Sequence, residues 1–342
     1  MRIVLDAMGG DFAPKNQVEG AVMAARNNSD LQLTLIGQLE KIEPVLAQHN
    51  TTGLNIALVD APEVIDMHDS GATAVKSKPN SSIVRGLSMC KEGAADAFVS
   101  QGNTGAVMAA SLLILGRVEG VQRPCIGAYF PSLKNQVMVF DTGANLDSKP
   151  EQLVQFAEMA TIFERYMLGV QTPTVGLLNV GEEETKGNDT LKQTHKLLRD
   201  ADARGQIKFI GNIEGRDVFI GDANIVLCDG LIGNVVLKLG ESIPNILGTL
   251  IMHALNKRVA DGKLAPDSAK QFSGILKEIF HGFSDEPHGG VPLLGVNGIS
   301  IIGHGNSSPV AVMNAIFAAK NMFEKRVNDH IAEMLKADEV KN

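Results

Sequence analysis

The stretch SIIGHGNSSPVAVMNAIFAA, residues 300–319, joins a short apolar run, a glycine-rich break and a segment with helical spacing. Glycines allow a tight turn, and Ser308 followed by Pro309 is typical of an N-cap and a first helical turn. The pattern therefore predicts a strand, a loop and a helix. The backbone amides of such a helix start favour an anion, and phosphate is the simplest candidate at Ser307 and Ser308. An ordinary capped turn is the other interpretation.

The same alternation of β-rich runs and amphipathic segments extends along the chain. Helical patterns such as 150–166 and 190–201 separate most of the β-rich runs. This order is typical of a largely parallel sheet covered on both faces, so we predict a three-layer α/β/α fold. Without a low-complexity linker, residues 1–342 are expected to form a single unit. The predicted strands are 3–5, 32–36, 55–59, 97–100, 137–141, 175–179, 208–211, 225–228 and 299–302.

Loops rich in glycine, asparagine, serine and aspartate follow the apolar runs. They are DAMGGD, SQGNTG, DTGANLDSKP, NVGEEETKGND, CDGLIGN and GHGNSSP. Because the carboxyl ends of parallel strands share one edge of a sheet, these loops are expected to converge on one crevice. Gly9 and Gly10 in the first loop and Gly305 in the last are therefore candidate contacts of a bound anion.

A second candidate anion site lies in VKSKPNSSIVRGL. Lys76 and Lys78 supply two cations, and Ser81 and Ser82 stand at a predicted helix start. A phosphate receptor and a solvated basic loop both fit this pattern.

Composition excludes several classes of protein. The net charge of −8, the pI near 5.5 and the 4% aromatic content argue against a nucleic-acid-binding surface. Three cysteines without a CxxC pair suit a reducing cytoplasm. The amino-terminal MRIVLDAMGGD is interpreted as a strand start and not as a secretion signal. No apolar run is expected to reach the ~18 residues of a spanning helix, so any membrane contact should be peripheral.

Common catalytic signatures are absent from the sequence. It contains no GxxxxGK[ST], GxGxxG, HExxH or GxSxG pattern. Asp6, Asp11, Asp141 and Asp229 could in principle converge on Mg²⁺, but strand-end aspartates more often hold neighbouring loops together. Cys228 is interpreted as a small buried hydrophobe in preference to a nucleophile. We therefore expect neither a metal ion nor a cofactor.

Residues 242–283 differ from the rest of the chain. Two amphipathic segments joined at Asp261 and Gly262 predict a helical hairpin with apolar stripes. We expect the stripes to pack in a dimer, and contact with lipid is the alternative.

Several long motifs in this chain match a known family in the same order. They are MRIVLDAMGGDFAPK, ADAFVSQGNTGAVMA, DTGANLDSKPEQLVQFAEM, GNIEGRD, CDGLIGNVVLK and PLLGVNGISIIGHGNSS. From residue 1 to about residue 321 the chain closely resembles the bacterial phosphate acyltransferases, which make acyl phosphate from acyl-acyl-carrier-protein for phospholipid synthesis. It departs from the usual pattern at Gln101, where alanine is usual, at Thr142, where valine is usual, and at Asn306 before the serine pair.

The resemblance implies an isocitrate/isopropylmalate-dehydrogenase-like fold with two intertwined subdomains. It also implies a cytoplasmic homodimer, peripherally associated with the inner face of the cell membrane, where it contacts the membrane acyltransferase that uses acyl phosphate. Inorganic phosphate would attack the thioester directly, held by Ser307 and Ser308 with Lys186.

The resemblance also suggests roles at the reacting carbonyl. His304 would protonate the leaving thiolate, a task that suits an imidazole, or it would serve as a structural hydrogen-bonding residue between its flanking glycines. Asn103, Thr104 and Asn145 would supply donors to the carbonyl or the phosphate, and Asp229 would orient one of them. A phosphotransacetylase for short acyl-CoA, a decarboxylating dehydrogenase of the same fold and a non-catalytic carrier- or lipid-binding module stay as alternatives.

An acidic acyl carrier protein should meet a basic surface on this chain. The candidates are Lys76, Lys78 and Arg85 at the rim of the cleft, or Lys257, Arg258 and Lys263 on the hairpin.

Overall fold

A computed structural model describes residues 1–130, 132–134, 136–281 and 286–339. The strands of this part are β1 (Arg2–Asp6), β2 (Gln32–Gly37), β3 (Ile56–Asp60), β4 (Ala97–Ser100), β5 (Cys125–Phe130), β6 (Val137–Phe140), β7 (Thr174–Leu178), β8 (Lys208–Ile213), β9 (Ile225–Leu227), β10 (Val291–Leu294) and β11 (Ile299–Ile302). The helices are α1 (Lys15–Asn27), α2 (Leu39–Leu46), α3 (Gly71–Ser77), α4 (Ser82–Lys91), α5 (Thr104–Ala110), α6 (Pro150–Phe163), α7 (Asp189–Ala203), α8 (Gly215–Ile220), α9 (Gly230–Ala260), α10 (Pro266–His281), α11 (Pro309–Glu324) and α12 (Val327–Glu339). Turns of π-helix, Ser111–Leu115 and Glu164–Leu168, continue α5 and α6.

The predicted α/β fold is confirmed, and each predicted strand is present. Two strands, β5 and β10, were not predicted. Glycine and proline both lower the strand signal, and they stand inside these strands as Gly127 and Pro292. Gly127 is required by close packing, because a Cβ there would lie 2.3 Å from the Phe140 ring.

All of these strands form one mixed sheet, in the order β3-β2-β1-β4-β11-β10-β5-β6-β9-β7-β8. The neighbouring strands β3, β2, β1, β4 and β11 are mutually parallel. The neighbouring strands β6, β9, β7 and β8 at the other end of the sheet are also mutually parallel. The pairings β11/β10, β10/β5 and β5/β6 between them are antiparallel. An odd number of reversals makes the two parallel groups run in opposite directions.

The polar loops therefore lie at two edges of the sheet. The loops after β1, β4 and β11 share what we call the first edge, and those after β6, β7 and β9 share the second edge. The prediction that all of these loops converge on one crevice of the chain is wrong. It assumed a single strand direction, which the antiparallel strands β5 and β10 reverse.

The core differs between the two faces of the sheet. In the described part of the chain, one face carries a single continuous apolar cluster beneath α1, α6, α7, α11 and α12. The opposite face carries two clusters, one beneath α4 and α5 and the other beneath α8. Successive residues of β1 alternate between the faces, as Ile3 and Leu5 do against Val4.

Helix α9 packs on β5 and β6 and forms a hairpin with α10. The predicted hairpin joint at Asp261 and Gly262 is confirmed, with Gly262 at φ +68°. The helix begins earlier than predicted, so most of CDGLIGN is helix and not loop. Residues 282–283 of the predicted hairpin, like 340–342 of the expected single unit, lie outside the described residues.

Helix α9 also corrects the expectation about membrane-spanning segments. Among the described residues it is the helix that is long and apolar enough to cross a membrane, with a hydropathy of 1.3. Only 6% of its apolar window is buried. Length and composition alone do not distinguish a spanning helix from other apolar helices.

Candidate active site

The first edge is organised around the buried carboxylate of Asp6. It accepts hydrogen bonds from Ser100 Oγ at 2.7 Å and from the Met8 backbone N–H at 3.0 Å. Burial raises the pKa of Asp6, and hydrogen bonds from the hydroxyls of Ser82 and Ser100 oppose that rise. Asp6 thereby ties the loop after β1 to the loop after β4.

The loop after β11 is fastened to the loop after β1. The Asp11 N–H donates to Gly305 O at 2.7 Å, and Asn16 Nδ2 donates to Ser307 O at 2.9 Å. Ser307 Oγ donates to His304 O at 2.7 Å, which closes the turn around His304. Gly10 supports this contact with a φ of +105°, a backbone conformation that other residues rarely adopt.

The predicted helix start at Ser308 and Pro309 is confirmed. Ser308 caps α11, and its Oγ accepts from the Ala311 N–H at 3.2 Å. The same hydroxyl donates to Glu286 Oε1, and Asn314 Nδ2 donates to Glu286 O at 2.8 Å. A protein carboxylate thus lies beside the helix start where the sequence predicts an anion.

A cavity of about 1190 Å³ opens between this loop and one face of α9. His304 Nδ1 lies 3.9 Å from Glu241 Oε1, and Lys238 Nζ lies 3.0 Å from Glu241 Oε2. An imidazole, a carboxylate and an ammonium group in one cavity can transfer a proton and hold an anion. The lining residues are Asp11, Met67, Lys238, Glu241, Pro244, Asn245, Gly248, Thr249, Met252, His253, Asn256, Phe280, Glu286, Gly289, His304, Gly305, Asn306, Ser307, Ser308 and Ala311.

Asn103 supports this cavity from its rim. Its Oδ1 caps α5 by accepting from the Ala106 N–H at 3.0 Å. Its Nδ2 donates to backbone carbonyls of 66, 67 and 69, at 2.9–3.2 Å, and so holds the loop that carries Met67. The neighbouring Thr104 is exposed at the first turn of α5.

The second candidate anion site is engaged in local structure. Lys78 Nζ lies 2.6 Å from Asp69 Oδ2, a contact that lowers the pKa of Asp69 and raises that of Lys78. Ser81 caps α4 as predicted, and both Ser81 and Ser82 are buried. Lys76 is exposed beside a separate shallow cavity. The arrangement favours a structural role for the serines and Lys78.

The second edge repeats the design of the first around Asp141. Its carboxylate accepts from the Asn145 N–H at 2.6 Å and from Asn145 Nδ2 at 3.0 Å, and burial raises its pKa. Asn145 O accepts from the Gly230 N–H at 2.8 Å, and Asp229 caps α9 through the Ile232 N–H at 2.9 Å. Aspartates at both edges therefore tie loops together.

Asn145, Asp229 and Lys186 belong to this second edge, across the sheet from His304. Lys186 lies in the loop after β7, with its Nζ 3.9 Å from Glu183 Oε1. Their catalytic roles stay predictions. The separation of the two edges within one chain does not support those roles. Cys228 is buried, and burial raises the pKa of its thiol well above the ordinary value, as suits a structural cysteine.

The functional candidates on α9 and at Glu286 are not predicted by the sequence motifs. Polar residues recur on α9 at Lys238, Glu241, Asn245 and Thr249, which is helical spacing within an apolar segment. Such spacing indicates one polar face on a helix, so the sequence contains a signal for these residues. Among the described residues, no group of three or more His, Cys, Asp or Glu side chains is placed to hold a metal ion.

Comparison with known proteins gives consistent matches over almost the whole chain. Residues 1–330 match the family model described as "Fatty acid synthesis protein". A phosphate acyltransferase from Chlorobaculum parvum is 55% identical over 98% of this chain and 99% of its own length. A phosphate acyltransferase from Geobacter sulfurreducens is 40% identical over 99% of this chain and 95% of its own length.

Solved structures share the fold at much lower identity. The EutD phosphotransacetylase from Staphylococcus aureus superposes with a TM-score of 0.59 at 15% identity, covering 94% of each chain. A putative 4-hydroxythreonine-4-phosphate dehydrogenase from Salmonella typhimurium has a TM-score of 0.51 at 13% identity, covering 94% of this chain and 99% of its own. Phosphotransacylases and a dehydrogenase thus share this architecture.

Proposed function

The chain belongs to the fatty acid synthesis protein family, whose curated relatives are phosphate acyltransferases, and we propose that its acyl donor is acyl-acyl-carrier-protein. It is an acyltransferase that transfers an acyl group to inorganic phosphate in phospholipid synthesis. The observation that carries the proposal is the cavity at the first edge, where His304 and the start of α11 face Lys238 on α9.

The reaction needs positioning and a proton carrier, but no covalent enzyme intermediate. A phosphate oxygen attacks the thioester carbonyl carbon, and the C–S bond breaks as the C–O bond of acyl phosphate is completed. His304 takes the proton of hydrogen phosphate and gives it to the departing thiolate sulfur. The carbonyl oxygen carries negative charge at the tetrahedral stage, and we assign its stabilisation to donors of the loop after β11.

The phosphate subsite is assigned to the start of α11 together with Lys238. The helix amides and the ammonium group supply positive charge, whereas Asp11, Glu241 and Glu286 add carboxylates to the same lining. Phosphate at Ser308 therefore has to displace the carboxylate of Glu286, which holds the Ser308 hydroxyl in the free chain.

Replacement of both Ser307 and Ser308 by alanine should raise the KM for phosphate about ten-fold and leave the KM for the acyl donor nearly unchanged. Two hydroxyl contacts to a ground-state anion are lost, each equivalent to roughly 0.5–1.5 kcal/mol. Initial rates at varied phosphate measure the effect. The matched control is Asn188→Ala, which removes the N-cap of α7 at the second edge. An unchanged KM for phosphate would show that phosphate binds elsewhere.

The variant Glu286→Gln should have the opposite effect. Removing the competing carboxylate lowers the KM for phosphate several-fold, because like charges repel in the same cavity. A rise in the KM would instead show that Glu286 helps to hold phosphate through a partner or a proton.

The overall proposal is tested by phosphate-dependent loss of thioester. Palmitoyl-acyl-carrier-protein and acetyl-CoA are incubated side by side with the chain, with and without phosphate, and the free thiol released from each donor is measured. We expect the carrier-bound donor to be preferred. Preference for acetyl-CoA would indicate a phosphotransacetylase, and binding of the carrier without turnover would indicate a binding module.

We also propose a homodimer that covers the apolar surface of the hairpin. Leu239, Ile246 and Leu250 of α9 and Phe272 and Ile275 of α10 are exposed in the single chain. Exposed apolar residues on both helices of the hairpin suit burial against a second copy. The alternative to this dimer is that the same surface of a cytoplasmic enzyme makes peripheral contact with the inner face of the membrane, beside the acyltransferase that uses acyl phosphate.

The double variant Lys257→Glu, Arg258→Glu should raise the KM for acyl-carrier-protein several-fold and leave acyl-CoA little affected. Both side chains are exposed at the carboxyl end of α9, where they can steer an acidic carrier. The KM for each donor at two ionic strengths measures this. Lys192→Glu with Lys196→Glu on α7 makes the same charge change at a distance. If both double variants raise the KM for acyl-carrier-protein equally, the effect comes from the net charge of the chain and not from a docking surface on α9.

A further inference from the structure

One face of α9 carries a continuous polar stripe along the cavity. Its members are spaced by three or four residues and all line the cavity: Lys238, Glu241, Asn245, Thr249, His253 and Asn256. The stripe begins beside His304, where Glu241 lies 3.9 Å from the imidazole. It ends next to the exposed basic residues Lys257 and Arg258.

Both the apolar and the polar face of this helix are accessible in the single chain. A surface helix normally turns its apolar face inward and its polar face to water. In α9 the apolar residues Leu239, Ile246 and Leu250 are exposed, and the polar stripe faces the cavity. Because Asn245, Thr249, His253 and Asn256 are exposed on the cavity side of the helix, their polar groups are accessible to a ligand in the cavity.

The chemistry of the stripe fits a long ligand with amide groups. Asn245 Nδ2 donates to Glu241 O at 3.5 Å, which leaves its second N–H and its amide oxygen for a ligand. Thr249 Oγ1 donates to its own helix, to Asn245 O at 2.8 Å, and keeps a lone pair that can accept an N–H. Pro244, Gly248 and Met252 lie between the polar side chains in the lining and provide apolar contacts. An acyl chain would need a lining without these amide and hydroxyl groups.

We propose that this stripe binds the phosphopantetheine arm of the acyl donor, with the thioester at His304 and the phosphodiester end near Asn256. The inference rests on the proposed function, since that reaction requires a thioester carried on such an arm. From Glu241 to Asn256 the helix rises about 22 Å, at roughly 1.5 Å per residue, which suits an extended arm. The arm thus bridges the basic end of the hairpin and the reacting centre.

The test uses a double variant of the stripe with a matched control. Asn245→Leu with Thr249→Val removes the amide and the hydroxyl while keeping the approximate volume. The control is Ser242→Ala, because the Ser242 hydroxyl makes the same type of bond, to Lys238 O at 2.6 Å, outside the lining. Each protein is assayed with one acyl chain presented on carrier protein, on CoA and as an S-phenyl thioester without the arm. Thermal unfolding of each protein confirms that it is folded.

We expect kcat/KM of the double variant to fall about ten-fold or more for the carrier and CoA donors, since two hydrogen bonds of the arm are lost. The S-phenyl thioester should change less than two-fold. An equal fall for all three donors, or no fall for any, overturns the proposal. A fall for CoA alone overturns it for the carrier-bound arm.

Binding of free coenzyme A, measured by calorimetry without phosphate or turnover, separates the stripe from the proposed reaction. The double variant should bind coenzyme A about ten-fold more weakly than the wild type and the control. Undiminished affinity overturns the stripe even if acyl phosphate is formed. Weakened affinity supports the stripe even if the wild type fails to make acyl phosphate, which would refute only the proposed reaction.

Discussion

The variant His304→Gln is expected to lower kcat for acyl-carrier-protein about 10²–10⁴-fold, the usual loss when a general acid is removed. His304 lies on the tightly held loop after β11 and faces the cavity beside Glu241. The departing alkyl thiolate needs a proton as the C–S bond breaks. Glutamine preserves a polar side chain of similar reach but cannot carry a proton between phosphate and sulfur.

A change of leaving group distinguishes proton transfer from a structural role of His304. Thiophenolate is a weaker base than an alkyl thiolate and departs with little need for a proton. The loss in kcat should therefore be much smaller with an S-phenyl thioester than with the carrier-bound donor. His330→Gln, on α12 and stacked on Tyr166, is the matched control and should leave both rates near the wild-type values. Equal losses of His304→Gln on both donors would refute the acid role.

Features governed by neighbours in sequence were predictable. The strand, the glycine turn and the cap at Ser308 followed by Pro309 depend on residues within one loop, and the structure has all of them. The same holds for the cap at Ser81 and the hairpin joint at Gly262. Local preferences of the backbone are enough to specify such elements.

The directions of the strands were not predictable in the same way. They depend on which strands pair, and β5 pairs with β10 across almost half of the chain. Local patterns do not encode such a partner. The assumption of one strand direction therefore placed Asn145 and Asp229 beside His304, although the sheet separates them.

Helix α9 shows why part of the candidate site was missed. The glycines of CDGLIGN favoured a loop, yet Gly233 lies inside the helix. The residue has to be glycine because a Cβ there would lie 1.9 Å from Asp141 O. Close packing, not flexibility, requires that glycine. With CDGLIGN interpreted as a loop, the predicted helix begins too late to include Lys238 and Glu241. The recurrence of polar residues from Lys238 to Asn256 is then not seen as one face of a helix.

We expect the second large effect for the variant Glu164→Gln, in the pH dependence of the free energy of unfolding. This side chain is fully buried after α6, and neither carboxylate oxygen has a hydrogen-bond partner among the described residues. Burial raises the pKa of Glu164 from 4.5 to about 8. The folded chain therefore holds this proton more tightly than the unfolded chain does.

Because the folded pKa is the higher one, this group makes the free energy of unfolding fall as pH rises from about 4.5 to about 8, by about 1.4 kcal/mol per pH unit at most. Glu164→Gln keeps the shape and removes the titration. We expect the variant to be close to the wild type at pH 5 and more stable by a few kcal/mol at pH 8.5. Urea unfolding at several pH values measures this, with exposed Glu151→Gln as the control. A constant difference between variant and wild type at every pH would show that Glu164 stays ionised in the folded chain, and hence that water or an unseen partner reaches its carboxylate.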